Sequence, residues 1–234
     1  MSTCFTFLRH AQTDANASGV FSGKTDLPLN EEGKECALAA AKALSEERFD
    51  VIFYGTMKRV LQTTDYVLSE MKRVPKIILK SDRIVETDFG RFEGLGADEI
   101  AKNYPDDWKR YMEDWQTFVF PGGDSVEEYY ERCEKFIHDV LFEYENNRIL
   151  IVAHKGFILA CLSALLTGDM SDLFTRDIQN GEAVTVTVEY STEYIRKYTK
   201  KTNDTYGVLP ICCLLYTSRS LTVWMNSARL IIRL

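Results

Sequence analysis

The stretch FTFLRHAQTDAN, residues 5–16, ends a short apolar run with Arg9 and His10. The run predicts a buried strand over residues 3–8. An arginine beside a histidine disfavours the imidazolium ion, so simple ion pairing does not explain why the two residues are neighbours. Either the pair lies by accident on a surface turn, or both side chains converge on a shared anion.

Apolar strands alternate with helical patterns along the rest of the chain. The patterns predict further strands over residues 50–54, 75–80, 148–153 and 183–190, the last of them alternating like an edge strand. Helices are predicted over residues 31–48, 57–71, 126–144 and 156–166, and two short helical patterns follow Gly96. This order predicts an α/β fold, a mostly parallel sheet sandwiched by helices.

Three of the predicted strands lead into histidines and arginines, residue types that can bind an anion. Arg9 and His10 follow the first strand, Arg59 comes shortly after the strand at 50–54, and His154 follows the strand at 148–153. Sites in open α/β sheets lie outside the carboxyl ends of the strands. We therefore expect two histidines and two arginines to face one crevice.

Composition limits the classes of partner and compartment. The formal net charge of −7 and the absence of a long basic run argue against nucleic acid or an anionic membrane surface as a partner. The N-terminal apolar run is too short for a signal peptide or a membrane span. The 6 cysteines are scattered without a CxxC pair or a ligand-like spacing with histidine. This pattern favours reduced thiols in the cytoplasm and no metal site.

Six motifs, in order, resemble one family. They are LRHAQTDAN, GKTDLPLNEEGKECA, MKRVLQTT, VETDFGRFEG, PGGDS and VAHKG. Together they resemble the histidine phosphatase superfamily, with its phosphoglycerate-mutase-like fold, over roughly residues 3–190. The compact spacing after Glu93 is most similar to the small phosphatases of the family, such as alpha-ribazole phosphatase, and not to the mutases with their longer insert.

The resemblance implies a role for each residue that matches a motif. It implies that His10 is the nucleophile, since an imidazole can attack phosphorus when its other nitrogen is held by an acceptor. It implies that Arg9, Arg59 and Asn16 hold the phosphate and that His154 stabilises the transferring phosphoryl group. Planar guanidinium groups suit the charge that phosphoryl transfer spreads over three oxygens.

Glu86 occupies the position at which the family keeps its general acid. A single carboxyl can protonate the leaving alkoxide and then activate the attacking water. Glu93 and Asp88 are rivals, although the family's glutamate in the FEG stretch is structural or lies at the rim. His138 lies opposite the apolar stripe of its helix, so we expect it to face solvent and to have no function.

Gly55 and Thr56 replace a common Ser-Pro of the family, and three further departures follow the motif histidines. Ala11 replaces a glycine and Gln12 a glutamate, which removes one negative charge near the site. Lys155 replaces the first glycine of the family's His-Gly-Gly. If that glycine has a positive φ, lysine is strained there; if not, its ammonium adds phosphate-binding charge. These changes bear on substrate choice more than on reaction type.

We expect the histidine phosphatase domain to span residues 1–204, with a small helical cap at about 97–124. Cap aromatics, among them Trp108, Tyr111, Trp115 and Phe118, either contact the substrate or pack the cap onto the sheet. Residues 205–234 contain three arginines and no acid. We interpret them as an atypical, non-native tail; the alternative is a real strand or helix that docks or dimerises. The oligomeric state, a homodimer included, stays open.

The resemblance, together with these residues, thus implies a metal-independent phosphomonoesterase without a cofactor, acting on a small phosphorylated metabolite through a phosphohistidine. One alternative is a phosphoglycerate-type mutase, which must retain and rephosphorylate its intermediate. Another is a non-catalytic phosphoprotein-binding module, against which intact His10, Glu86 and His154 count. The sequence does not identify the leaving alcohol.

Overall fold

The computed structural model describes residues 2–190 and, nearer the C-terminus, residues 214–217, 220–225 and 228–233. Two short 3-10 turns, Gly90–Phe92 and Met170–Asp172, connect its regular elements. In chain order the helices and strands are β1 (Ser2–Arg9), α1 (Asp14–Ala17), α2 (Glu31–Leu44), β2 (Val51–Tyr54), α3 (Lys58–Glu70), β3 (Ile77–Lys80), α4 (Ala97–Asn103), α5 (Pro105–Glu113), α6 (Val126–Glu143), β4 (Arg148–Ala153), α7 (Lys155–Leu166), β5 (Ala183–Tyr190), β6 (Leu214–Thr217), β7 (Ser220–Met225) and β8 (Ala228–Arg233).

The strands form one sheet in the order β3-β2-β4-β1-β5-β8-β7-β6. The first four in this order pair in parallel, and β5 is antiparallel to β1. The predicted α/β class with a mostly parallel sheet is confirmed for the five strands β3, β2, β4, β1 and β5. The prediction that β5 is an edge strand is wrong, because β8 pairs with its other side.

Helices cover both faces of the central parallel strands β1, β2 and β4 because these strands are apolar on both faces. On β1, Phe5 and Phe7 join the core shared with α6 and α7, whereas Leu8 packs with residues of α2 and α3. The same alternation divides β4, where Ile151 belongs to the first core and Val152 to the second. Because both faces are buried, the pairing register of β1 and β4 is fixed, and so is the relative position of their ends.

The register aligns the ends of β1 and β4. Arg9 lies opposite Ala153, so the next residues of the two strands, His10 and His154, emerge side by side.

Within the described residues no helix is long and apolar enough to cross a membrane. On α6, His138 is half-buried, so the expectation that it faces solvent is wrong.

The predicted cap contains α4 and α5. Its aromatic side chains pack largely on each other and on Phe92: the ring centroid of Phe92 lies 6.4 Å from that of Trp108 and 6.1 Å from that of Phe118. Trp115 instead contacts Phe174, with the ring centroids 4.8 Å apart. Most of the cap aromatics therefore hold the cap in place.

Candidate functional site

The ends of β1 and β4 bring two histidines into contact. The ring centroids of His10 and His154 lie 5.2 Å apart, with the edge of one ring toward the face of the other. Both side chains are buried. The two histidines predicted to meet at the carboxyl ends of the strands therefore lie side by side, and we call the region around this pair the crevice.

His10 is held as a neutral imidazole of one tautomer. Burial, together with the nearby positive charges of Arg59 and Arg9, lowers its pKa to about 3. Its Nδ1 lies 2.8 Å from the carbonyl oxygen of Ala11. Because a carbonyl can only accept, Nδ1 carries the proton and Nε2 carries the lone pair. The arrangement leaves a nucleophilic nitrogen on an uncharged ring.

Arg59 is almost fully buried at the start of α3. Its guanidinium donates to the carbonyl oxygens of Thr25 and Gly23, at 2.8 and 2.7 Å. The carboxylate of Glu93 in turn accepts from backbone N–H groups of this loop, at 2.8 Å for Gly23. Glu93 is therefore structural, as the family pattern implied, because it fixes the loop that orients Arg59.

Gly23 has a steric reason to be glycine. A Cβ atom at this position would lie 1.6 Å from the carbonyl oxygen of Thr87. The loop that holds Arg59 therefore packs directly on the backbone that follows Glu86. Any side chain at Gly23 would displace one of the two.

His154 has the opposite tautomer. Its Nδ1 accepts from the Nε–H of Arg59 at 3.3 Å, so the proton of the neutral ring is on Nε2. Burial and the neighbouring His10, Arg59 and Arg9 hold its pKa well below the usual range. Within the described part of the chain, the buried Nε2 of His154 finds no hydrogen-bond partner.

Arg9 supplies a second buried donor without a partner. Its Nη1 donates to the carbonyl oxygen of Ile178 at 2.8 Å, whereas no described residue accepts from its buried Nε. Leaving a buried donor unsatisfied costs about 1–3 kcal/mol. Two such donors, beside the guanidiniums of Arg9 and Arg59 and two neutral imidazoles, form a site suited to an anion.

Glu86 borders the same crevice. Its Oε1 accepts from the hydroxyl of Tyr129 at 2.9 Å and from the N–H of Thr87 at 3.0 Å, and its Oε2 accepts from the N–H of Gly156 at 3.0 Å. A Cβ at Gly156 would lie 2.4 Å from Oε1, so only glycine allows this close approach. These hydrogen bonds fix the carboxyl of Glu86 beside Gly156, which lies two residues after His154 in the chain.

A cavity of about 160 Å³ opens beside Glu86. Besides Glu86, Thr87, Tyr129, Lys155 and Gly156, its walls are apolar and mostly aromatic; they include Phe21, Phe89, Tyr111, Phe120, Leu159, Leu173 and Phe174. Of the four cap aromatics singled out in the sequence, Tyr111 is the one that lines the cavity.

Two predicted phosphate-binding residues have partners elsewhere in the protein. The Oδ1 of Asn16 accepts from the N–H of Thr13 at 3.1 Å and from the Nδ2 of Asn180 at 3.2 Å. Lys155 begins α7 in helical geometry, so the proposed backbone strain is absent, and its Nζ lies 2.5 Å from Asp177. Direct contact of Asn16 and Lys155 with a phosphate stays a prediction.

The structure also shows the surroundings of Ala11 and Gln12, which depart from the family pattern, and of Asp88, a rival of Glu86 as general acid. Ala11 is buried at the end of β1, and Gln12 accepts from the side chain of Asn30 at 2.9 Å. Asp88 pairs with Lys24 at 2.7 Å. In the residues described here, no group of three or more His, Cys, Asp or Glu is arranged to hold a metal ion.

Sequence reasoning missed Tyr129, Gly156 and Asn180. Tyr129 is one of the buried residues of α6. A buried tyrosine hydroxyl usually has a partner, and here that partner is Glu86. Asn180 also donates to the carbonyl oxygen of His10 at 3.0 Å. Its distance along the chain from His10 and Asn16 left no local signal.

The lowered histidine pKa values make stability depend on pH. Below pH 6.5 the unfolded chain binds a proton on His10, whereas the folded protein does not until about pH 3. Stability is therefore full above pH 6.5 and is lost as pH falls toward 3. We expect His10→Asn to make the fall in unfolding free energy shallower by about 1.4 kcal/mol per pH unit below pH 5.5.

Denaturant unfolding of both proteins between pH 7.5 and 4.5, in phosphate-free buffer, measures this difference. Phosphate is left out because a bound dianion would favour the charged imidazole. Parallel pH curves for the two proteins would show that His10 titrates normally in the folded state.

Comparison with known proteins gives consistent matches. The sequence profile described as "Histidine phosphatase superfamily (branch 1)" matches residues 5–201. The chain is 31% identical over 190 residues to Phosphoserine phosphatase 1 of Hydrogenobacter thermophilus, covering 81% of this chain and 89% of that protein. It is 25% identical over 221 residues to the 2,3-bisphosphoglycerate-dependent phosphoglycerate mutase of Neisseria meningitidis, covering 82% and 97%.

The fold matches solved structures as well. The crystal structure of the alpha-ribazole phosphatase from Shigella flexneri superposes with a TM-score of 0.71 at 24% identity, covering 81% of this chain and 92% of that one. The resemblance inferred from six sequence motifs is thereby confirmed.

The profile match ends at residue 201, and every residue of the site described above lies at or before Asn180. We predict that removal of residues 206–234 leaves kcat/KM for a phosphomonoester within about twofold. The pairing of β5 with β8 would be lost, but no group of the crevice would move. A truncated protein that is unfolded or inactive would show that the segment is native structure.

Proposed function

The chain belongs to the histidine phosphatase superfamily and is a phosphatase, and we propose that it hydrolyses a small phosphorylated metabolite through a phosphohistidine formed on His10. The observation that carries the proposal is the state of His10. It is buried and uncharged, with Nδ1 donating to Ala11 and the lone pair left on Nε2, in contact with His154 and beside two arginines.

The phosphate of the substrate binds among Arg9, Arg59 and His154. The unpartnered N–H groups of Arg9 and His154 donate to its oxygens, which satisfies both. Since phosphoryl transfer is catalysed mainly by positioning and by electrostatic stabilisation, buried cations that are already fixed in place suit it. Asn16 lies in the network that also holds the backbone of His10.

Transfer then takes place in two steps. The Nε2 of His10 attacks phosphorus, the bond from phosphorus to the leaving oxygen breaks, and Glu86 donates a proton to the alkoxide. In the second step Glu86 takes a proton from water, the water oxygen attacks phosphorus, and the phosphorus–nitrogen bond breaks. Phosphate leaves and both groups return to their first state.

His154 acts as a neutral donor throughout. The hydrogen bond that Arg59 donates to Nδ1 of His154 keeps the ring proton on Nε2. This Nε2–H can then donate to a phosphoryl oxygen as negative charge grows on that oxygen. Removing one such donor typically costs 10²–10³ in kcat. Positive charge is supplied by the two arginines and a further hydrogen bond by His154, so we also propose that the reaction is metal-independent and that chelators leave the rate unchanged.

We also propose that the protein works in the cytoplasm. Cys4, Cys36, Cys133 and Cys161 are free thiols in the described part of the chain. Reduced cysteines are typical of that compartment. No partner other than the substrate is required by the two steps.

A mutase is the second candidate, because one relative is a phosphoglycerate mutase. A mutase must shield the phosphohistidine from water, which requires a long closing cover. Here about thirty residues, with two short helices, separate Glu93 from the turn before α6, which fits a small cap. Water should therefore reach the intermediate.

A panel of phosphomonoesters tests the proposal. We expect steady release of free phosphate without added 2,3-bisphosphoglycerate. Efficient interconversion of 2- and 3-phosphoglycerate with little phosphate released would assign the protein as a mutase. Tight phosphate binding with no turnover of any ester would assign it as a binding module.

A further inference from the structure

The cavity beside Glu86 is the space into which the leaving group must extend. Glu86 lines this cavity and accepts from the N–H of Gly156, and Lys155 and Gly156, which directly follow His154, form part of the same wall. Since Glu86 protonates the leaving oxygen in the reaction proposed above, that oxygen must face Glu86. The rest of the substrate then points toward the side chains of Phe21, Phe89, Phe120 and Leu173.

Among the residues that the structure describes, the wall offers no unpaired cation to a charged leaving group. Its charged residues are Glu86 and Lys155. The ammonium of Lys155 lies 2.5 Å from Asp177, which neutralises it. A carboxylate on the leaving group would meet Glu86 and an apolar surface, and burying an unpaired charge is costly. Charge complementarity therefore favours an uncharged leaving group.

The volume sets the size of that group. At about 160 Å³ the cavity is close to the engineered 150 Å³ cavity lined by Leu, Ile and Phe that binds benzene. Aromatic rings on several sides, among them Phe21, Phe89 and Tyr111, allow edge-to-face contact with a bound ring. One six-membered ring fills the space.

We propose, building on the phosphatase function above, that the substrate is a phosphomonoester whose leaving alcohol carries one uncharged aromatic ring or a compact apolar group of that size. The leaving group is thus different from that of phosphoserine, whose serine part carries both a carboxylate and an ammonium. The proposal concerns the substrate class of the same site and adds no further chemical step.

Benzyl phosphate and O-phospho-L-serine test the proposal, because both release a primary alcohol and differ mainly in what enters the cavity. We expect kcat/KM for benzyl phosphate to exceed that for phosphoserine by at least about tenfold, from burial of the ring. A value for phosphoserine equal to or above that for benzyl phosphate would overturn the proposal.

A charge placed in the cavity should reverse part of the preference. Phe174 lines the cavity and is 52% exposed, so Phe174→Lys should fold. We expect it to lower kcat/KM for benzyl phosphate and to raise that for phosphoserine. Met112→Lys is the matched control, since Met112 is 63% exposed on the cap and does not line the cavity. An unchanged ratio of the two kcat/KM values in Phe174→Lys would contradict the proposal.

Binding separates a failure of this proposal from a failure of the proposed function. Calorimetry with His10→Ala protein measures the affinity of both esters without turnover. If neither ester is hydrolysed by the wild-type protein, the proposed function fails, and the binding order still tests the cavity. Tighter binding of benzyl phosphate by at least about tenfold supports the proposal, and equal or tighter binding of phosphoserine overturns it.

Discussion

Replacing His10 by alanine is expected to lower kcat by at least about 10³-fold, since loss of a nucleophile removes the covalent route altogether. The remaining rate would come from substrate held by Arg9 and Arg59 and attacked directly by water. Phosphate release from benzyl phosphate, measured for the wild-type and variant proteins, gives the ratio. The variant should also form no labelled phosphoprotein after rapid quenching.

His138→Gln is the matched control for this variant. His138 is half-buried on α6, and burial lowers its pKa to about 4, yet it belongs to no part of the crevice. We expect its kcat to stay within about twofold of the wild-type value, since His138 does not line the cavity and is not among the contacts of His10 described above. Labelled phosphate that persists in His10→Ala would assign the nucleophile to another residue.

Replacing Glu86 by glutamine should have the second largest effect, and the effect should depend on the leaving group. For benzyl phosphate, whose alkoxide needs a proton, kcat/KM is expected to fall about 10²–10⁴-fold. For p-nitrophenyl phosphate, whose phenolate leaves unprotonated, it should fall less than about tenfold. Because water activation is also impaired, nitrophenol should appear as a burst of about one equivalent followed by slow turnover.

Glu93→Gln separates proton transfer from positioning. Glu93 fixes the loop that orients Arg59, so this variant should lower kcat/KM for both esters by the same factor. Equal losses for the two esters in Glu86→Gln would show that Glu86 positions the substrate and does not donate the proton.

The sequence predicted the parts of the site that belong to strand ends. Arg9, His10 and His154 directly follow or end apolar runs, and the two-sided burial of β1 and β4 forces those runs to end at one edge of the sheet. Arg59 has the same origin, since β2 pairs with β4 and leads into α3. Hydrophobic pattern and strand topology are enough to place all four residues.

The partners that orient these residues could not be predicted. Arg59 donates to the backbone carbonyls of Gly23 and Thr25. Every residue has a backbone carbonyl, so the amino-acid sequence does not indicate which ones accept this arginine. The hydrogen bond from Tyr129 to Glu86 and the salt bridge between Lys155 and Asp177 join residues that lie in different segments of the chain. Such contacts depend on tertiary packing, which local patterns do not encode. The same limit explains β5, whose alternation gave no sign of β8.

The most direct test of the central claim is the site and linkage of the phosphate in the trapped intermediate. Rapid quenching of the wild-type protein with labelled benzyl phosphate, followed by ³¹P NMR and peptide mapping under alkaline conditions, identifies the residue and the ring nitrogen that carry the phosphate. Because Nδ1 of His10 donates to Ala11, we predict phosphate on Nε2 of His10. Phosphate on Nδ1, on another residue, or on no residue during steady turnover would contradict the claim.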